Sequence, residues 1–383
     1  MALGTIPAVF MRGGTSKAIM FDGRVLPADR GRWDLLFTSL MGSPDPYGRQ
    51  LDGMGGGISS LSKVCVITPS SRDDADVDYT FAQVQVREAS VDYRGNCGNM
   101  SSAVGPFAVD QGLVRAEGDT ALVRIFNTNT AKLIHATFPL RDGRADYRGE
   151  LAIPGVSGTG APIRLEFVSP GGASTGKLLP TGNPTDRLDI PGLGPIEASM
   201  VDAANACVFV RAGDVGLTGR ELPEELEARP DILRRLAEIR LRASLAMGIA
   251  KTEEEARAIR VVPFVGFVSA PAEAPTLTGE LIRGDEIDFA ARVISNGQPH
   301  RALPLTISLC AAVAARIEGT VVAAVLPPGT SREGRLRLGM PSGILTVEAA
   351  VARTADGTWE ARSGSFYRTA RPLFSGEVHV PAM

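Results

Sequence analysis

The sequence predicts an α+β protein built from two similar, β-rich units. Three observations carry that expectation. Strand-length runs, alternating or continuously apolar, recur along most of the 383 residues. Each half holds one helical run of small residues, 99–112 and 307–316, entered through a polar turn. Between the halves, residues 170–195 are rich in Gly and Pro, as a domain boundary would be. Domains of 1–183 and 184–383 follow, with the final strand free to return to the first domain.

Composition narrows the function classes. The net charge is −3 and only two Trp and five Tyr are present, so no basic, aromatic-studded surface for nucleic acid is expected. Cys65, Cys97, Cys207 and Cys310 form no CxxC pair, and His135, His300 and His379 are scattered. Neither a zinc site nor a disulfide framework is legible, and no metal is expected. No apolar run approaches the roughly 18 residues of a membrane span. Isolated cysteines behind no signal peptide fit a cytoplasmic protein with no membrane partner.

In chain order, residues 6–10 read as a strand. Met11-Arg12-Gly13-Gly14-Thr15-Ser16-Lys17 then makes a polar turn before the apolar run 18–21. It is either an anion-binding loop or an ordinary hairpin; it lacks the spacing of a Walker loop. Residues 28–40 place Trp33, Leu36, Phe37 and Leu40 on one helical face. The loop 42–57 is too dense in glycine for regular structure, and it delivers Lys63 to the start of the buried run 64–67. There the lysine is either a solvated strand end or an amine in a partly dry setting. Residues 76–94 alternate polar and apolar as a half-buried hairpin. Further strands are expected at 122–126, 133–138 and 164–167.

The stretch from Val91 to Pro106 reads as a strand end, a glycine-bracketed turn at Gly95-Asn96-Cys97-Gly98-Asn99, and a helix. The first N–H groups of that helix have no intrahelical partner, and the helix dipole favours a thiolate at Cys97. A buried structural cysteine is the alternative.

The second half repeats this plan. Residues 200–210 form a polar turn entering a buried strand, like 62–67, and 221–249 carry the strongest helical pattern, with Pro223 and Pro230 at helix starts. Strands are expected at 261–268 and 287–293. The turn 296–306 then leads into the small-residue helix 307–316. Closing strands are expected at 321–326, 345–352, 359–370 and 376–380. If the two helix N-termini face each other, a cleft between the domains would seat a di- or tricarboxylate, and the active site is expected there.

These motifs resemble the 2-methylaconitate cis-trans isomerase family, a branch of the diaminopimelate epimerase-like fold. The resemblance is carried by residues 11–17, 42–48, 52–56 and 95–99 and by Pro299-His300-Arg301-Ala302, and it spans nearly the whole chain. It implies two pseudo-symmetric domains, each a barrel-like β unit around a central helix. It also implies a cofactor-independent isomerase of propionate catabolism, in which Lys63 and Cys97 move a proton in a small unsaturated tricarboxylate. Relatives of this kind act on 4-oxalomesaconate, methylitaconate or aconitate, and a non-catalytic carboxylate binder is a further alternative. Ser16, Asn96, Gly98, Asn99, His300, Arg301 and Thr306 are the expected substrate-binding residues. The epimerases of this fold use two facing cysteines; here the second position falls near Thr306, with Cys310 a helical turn beyond, which argues against a two-thiol epimerase. Cys65, Cys207 and Cys310 read as small core residues. A homodimer is the default expectation.

Overall fold

Strands β1 (Gly4–Gly13), β2 (Ser16–Asp22), β3 (Lys63–Pro69) and β4 (Val77–Val84) form the sheet on which the first unit is built. β1 runs antiparallel to β2 and to the C-terminal strand Ala370–Val380. β2 lies parallel to β3, which is antiparallel to β4. β4 also borders the short β5 (Val91–Asp92) and, in parallel, β6 (Thr120–Asn127), which turns back into β7 (Lys132–Arg141). This is a computed structural model describing residues 4–93, 95–259, 262–295 and 297–380. Arg94, Val261 and Asn296, which fall in elements expected from sequence, lie outside the described residues.

The alternation of side chains sorts the sheet into two faces. Ile19, Phe21, Val64, Val66, Ala82 and Val84 pack with Trp33, Leu36 and Phe37 of helix α1 (Trp33–Met41). Their neighbours, Lys63 and Cys65 among them, point to the other side. Helix α2 (Gly98–Asp110), buried along nearly its whole length, packs against β1, β2, β3, β6 and β7. A helix made of small and apolar residues on every side is stable only when enclosed in this way.

The chain divides into two compact units. One holds the chain up to Glu166 and from Tyr367 onward; the other is Phe167–Phe366. The junction expected at 183/184 lies further along, inside the Gly/Pro-rich segment 170–195. In the second unit, Gly194–Ala203 pairs antiparallel with Asp186–Ile190 and Asn205–Arg211. Asn205–Arg211 runs parallel to Phe264–Ser269, which is antiparallel to Phe289–Ser295. Arg335–Met340 and Gly343–Arg353 extend the pairing. Helices α3 (Pro223–Glu227), α4 (Pro230–Ala246) and α5 (Glu253–Ala258) follow, and Ile232, Leu236 and Ile239 of α4 pack on Val208, Val210 and Phe267. Helix α6 (Leu305–Arg316) is buried at every position, against Gly194–Ala203, Asn205–Arg211 and Gly343–Arg353.

Two expectations change. Residues 321–326 form a helical turn, Ala323–Val325, where a strand is expected. Thr320 Oγ1 accepts the N–H of Ala323, and the N–H of Val321 donates to Ser199 Oγ. A continuous Val/Ala run has no period to separate the two states. The strands Asp186–Ile190 and Arg335–Met340 add to those expected, the former inside the glycine-rich boundary segment. Among the described residues no helix is long and apolar enough to cross a membrane.

Candidate functional site

Lys63 is the first residue of β3 and only 7% exposed. It pairs with Ala18 on β2 and Gln83 on β4. Its Nζ donates to Gln83 Oε1 and lies 5.0 Å from the centre of the Phe81 ring. Cys65 stands two residues on, on the same face. Its Sγ lies 3.6 Å from the Tyr79 hydroxyl. Burial pushes the Cys65 thiol up; the Tyr79 hydrogen bond and Lys63 oppose this, and the charge of Cys97 adds to it. Burial likewise raises the Tyr79 hydroxyl, reinforced by Cys65 and Cys97. Lys63 and Cys97 thus both bear electrostatically on the Cys65 thiol, which stays protonated, and Cys97 bears on the Tyr79 hydroxyl as well.

Cys97 is the residue before α2, in extended backbone (φ −105°, ψ 97°), and is partly exposed, unlike the other three cysteines. Its carbonyl accepts the N–H of Ser101 at 2.9 Å and the Ser101 hydroxyl at 3.1 Å. Its side chain makes no cap hydrogen bond, so the thiol leaves the first-turn N–H groups of Gly98 and Asn99 to other acceptors. Asn96 Oδ1 accepts from Asn127 Nδ2, and from Ser101 Oγ when that hydroxyl turns away from the Cys97 carbonyl, which leaves its NH2 group as a donor. Asn129 holds the approach to this turn: Nδ2 donates to the carbonyls of Phe81 and Tyr93, and Oδ1 accepts the N–H of Phe81. Asn127 and Asn129 are positioning groups that the sequence did not reveal.

The turn after β1 is a tight hairpin, Gly13 pairing with Ser16, pressed onto the first turn of α2. A Cβ on Gly13 would meet the Asn99 carbonyl oxygen at 2.7 Å. Asn99 Oδ1 accepts from the N–H of Thr15 and from Arg368 Nε. Arg368, 269 positions away, is buried, and burial pushes its guanidinium below the ordinary arginine value. Ser16 is buried at the start of β2.

In the second unit, Thr306 Oγ1 accepts from Asn205 Nδ2 at 2.8 Å and keeps its own proton to donate. His300 is half-buried, its ring 6.1 Å from that of Phe264, and burial lowers its imidazolium. Arg301 is 64% exposed, 3.7 Å from Glu224. The two units share a pattern. Lys63-Val64-Cys65 opens β3 as Asn205-Ala206-Cys207 opens its strand, and Ser308 Oγ donates to the Pro304 carbonyl as Ser101 Oγ does to that of Cys97. Aligned on these helix caps, the position equivalent to Cys97 is Pro304, two residues before Thr306. Cys310 is buried, donates to the Val201 carbonyl and is held protonated by burial. Among the described residues no three metal-ligating side chains converge.

Residues 3–381 match the family described as PrpF protein. The chain belongs to the PrpF family. It is 43% identical to the 3-methylitaconate isomerase of Eubacterium barkeri, covering 98% of this chain and 97% of that one. It is 37% identical to the 2-methyl-aconitate isomerase of Cupriavidus necator, covering 98% and 97%. Identity to the 4-oxalomesaconate tautomerase of Pseudomonas putida is 38%, over 98% and 96%. The crystal structure of a methylitaconate-delta-isomerase superposes with a TM-score of 0.90 at 42% identity, covering 99% of this chain and 96% of that one. A hydroxyproline epimerase structure matches at 0.52 and 13% identity, over 98% and 92%, a likeness of fold. The chain is thus an isomerase by family, with the epimerase-like fold that its motifs suggest.

Proposed function

We propose that this chain isomerises 2-methylaconitate between its cis and trans forms by allylic proton transfer, with Lys63 and Cys97 as the acid–base pair. The observation that carries the reading is a buried amine at the start of β3 and a partly exposed thiol at the start of α2, the helix that packs on β3. One group removes a proton from the carbon next to the double bond, and the charge spreads into a carboxylate. The N–H groups of Gly98 and Asn99 face that charge at the start of α2, where donors and dipole favour it. The other group returns a proton once the bond between the former alkene carbons has rotated. Ser16, Asn96, His300, Arg301 and Thr306 complete the proposal as carboxylate-binding groups.

A second substrate, 3-methylitaconate, is favoured by the higher identity to an isomerase of that name, 43% against 37%. Proton relocation along an allylic system serves both, so the two readings differ in pocket shape and share their chemistry. The test is turnover of 2-methylaconitate, 3-methylitaconate and 4-oxalomesaconate by the purified protein, followed by NMR. The proposal expects 2-methylaconitate to have the highest kcat/KM. A higher value for 3-methylitaconate selects the second reading, and binding without turnover of any acid would make the chain a carboxylate binder.

A further inference from the structure

Gln83 faces Lys63 across the β3–β4 ladder, and its Oε1 accepts the hydrogen bond from Lys63 Nζ. The other end of the carboxamide fixes that orientation. Nε2 donates to the carbonyls of Ser59 and Ser62, each at 3.0 Å, and lies 3.3 Å from that of Val84. A flipped amide would set its oxygen against three carbonyl oxygens and its NH2 against the amine.

The loop before β3 holds those carbonyls in turn. The Ser62 carbonyl also accepts the N–H of Val84. Ser62 Oγ lies 2.6 Å from Gln50 Oε1 and 2.8 Å from the Ile58 carbonyl, and it donates to one at a time. Gln50 is 1% exposed and has φ +53°, in the left-handed region. Its Oε1 also accepts the N–H of Gly57, and its Nε2 donates to Ser43 Oγ. A buried non-glycine residue is kept in such a conformation only where its surroundings over-determine it.

We infer that Gln83 is a positioning residue for Lys63, set by the glycine-rich loop through Gln50 and Ser62. Its oxygen takes one hydrogen of the amine and fixes the direction of the rest. Because the acceptor is neutral, it orients Lys63 without the counter-charge that would hold it as an ammonium ion. A carboxylate at this position would orient the amine and also favour its charged form. The inference rests on the proposed acid–base role of Lys63 and adds the means by which that role is set.

The experiment measures kcat, KM and the pH profile on 2-methylaconitate for the wild type, Gln83→Glu, Gln83→Met and Lys63→Ala, with thermal melting of each. The expected result is an inactive Lys63→Ala and a Gln83→Glu profile whose lysine limb moves about one pH unit or more to the alkaline side. Gln83→Met should lower kcat about tenfold or more with little change in KM, because the amine loses its orientation. Wild-type kcat and profile in both Gln83 variants, beside an inactive Lys63→Ala, would overturn the inference alone. So would a raised KM at unchanged kcat, which would make Gln83 a substrate contact, or a lowered melting point with an unshifted profile. An active Lys63→Ala would instead remove the reading on which the inference stands.

Discussion

Asn99 Oδ1 accepts the backbone N–H of Thr15 at 3.3 Å, pinning the hairpin after β1 to the first turn of α2. The pin leaves no room beside it. Gly14 has φ +50°, and a Cβ there would lie 2.1 Å from the same Asn99 oxygen. Gly14→Ala should destabilise the fold by about 1–3 kcal/mol, through strain at positive φ together with the collision. The double variant Gly14→Ala/Asn99→Ala should recover part of that loss, because the collision goes while the strain stays. Urea unfolding of Gly14→Ala, Asn99→Ala and the double variant checks this; strict additivity would show that the contact is not tight.

Lys63→Ala and Cys97→Ser should each lower kcat by about 10²–10⁴-fold, the usual worth of a positioned acid or base. Neither change should alter the far-UV circular dichroism spectrum. Lys63 lies at a strand end and Cys97 outside the helix it precedes. Wild-type turnover by a Cys97→Ala variant would remove the thiol from the mechanism.

Thiol chemistry offers an independent check. Cys97 is partly exposed, while Cys65, Cys207 and Cys310 are buried and pushed up by that burial. Brief treatment of the folded protein with iodoacetamide should modify Cys97 first and abolish activity. Peptide mass mapping reads the site, and early labelling of Cys65 would contradict the burial described here.

His300 gives the stability a pH dependence of definite sign. Burial lowers its folded-state value below the ordinary one of about 6.5. Between those two values the unfolded chain binds the extra proton, so stability rises with pH there and falls as pH drops below about 6.5. His300→Gln should flatten that part of the curve. Urea midpoints between about pH 5 and 7.5 measure it, and an unchanged slope in the variant would exclude His300 as the source.

Much of this was legible in the chain, for reasons that differ by residue. Pattern alone left Lys63 and Cys97 open, each a reactive group at the mouth of a patterned element, an apolar strand and a small-residue helix, and the resemblance to the 2-methylaconitate cis-trans isomerase family paired them. The central helices were legible because composition alone marks a helix that must be enclosed. Gln83, Asn127 and Asn129 were not, since a polar residue alternating with apolar ones reads as a solvated face until strand pairing shows what it meets. Arg368 reaches Asn99 only through the return of the C-terminal chain to the first unit. The Pro304 equivalence needed the cap hydrogen bonds of Ser101 and Ser308, which spacing does not disclose.

Lys63 and Cys97 are proposed to transfer a proton at an allylic carbon. The most direct measurement is deuterium incorporation from D2O into 2-methylaconitate, followed by proton NMR, with the wild type, Lys63→Ala and Cys97→Ser. Label is expected at the allylic carbon with the wild type, with at least a hundredfold slower exchange in either variant, the lower end for a positioned acid or base. Isomerisation without label in every product molecule under single-turnover conditions, or wild-type exchange by both variants, would contradict the proposal.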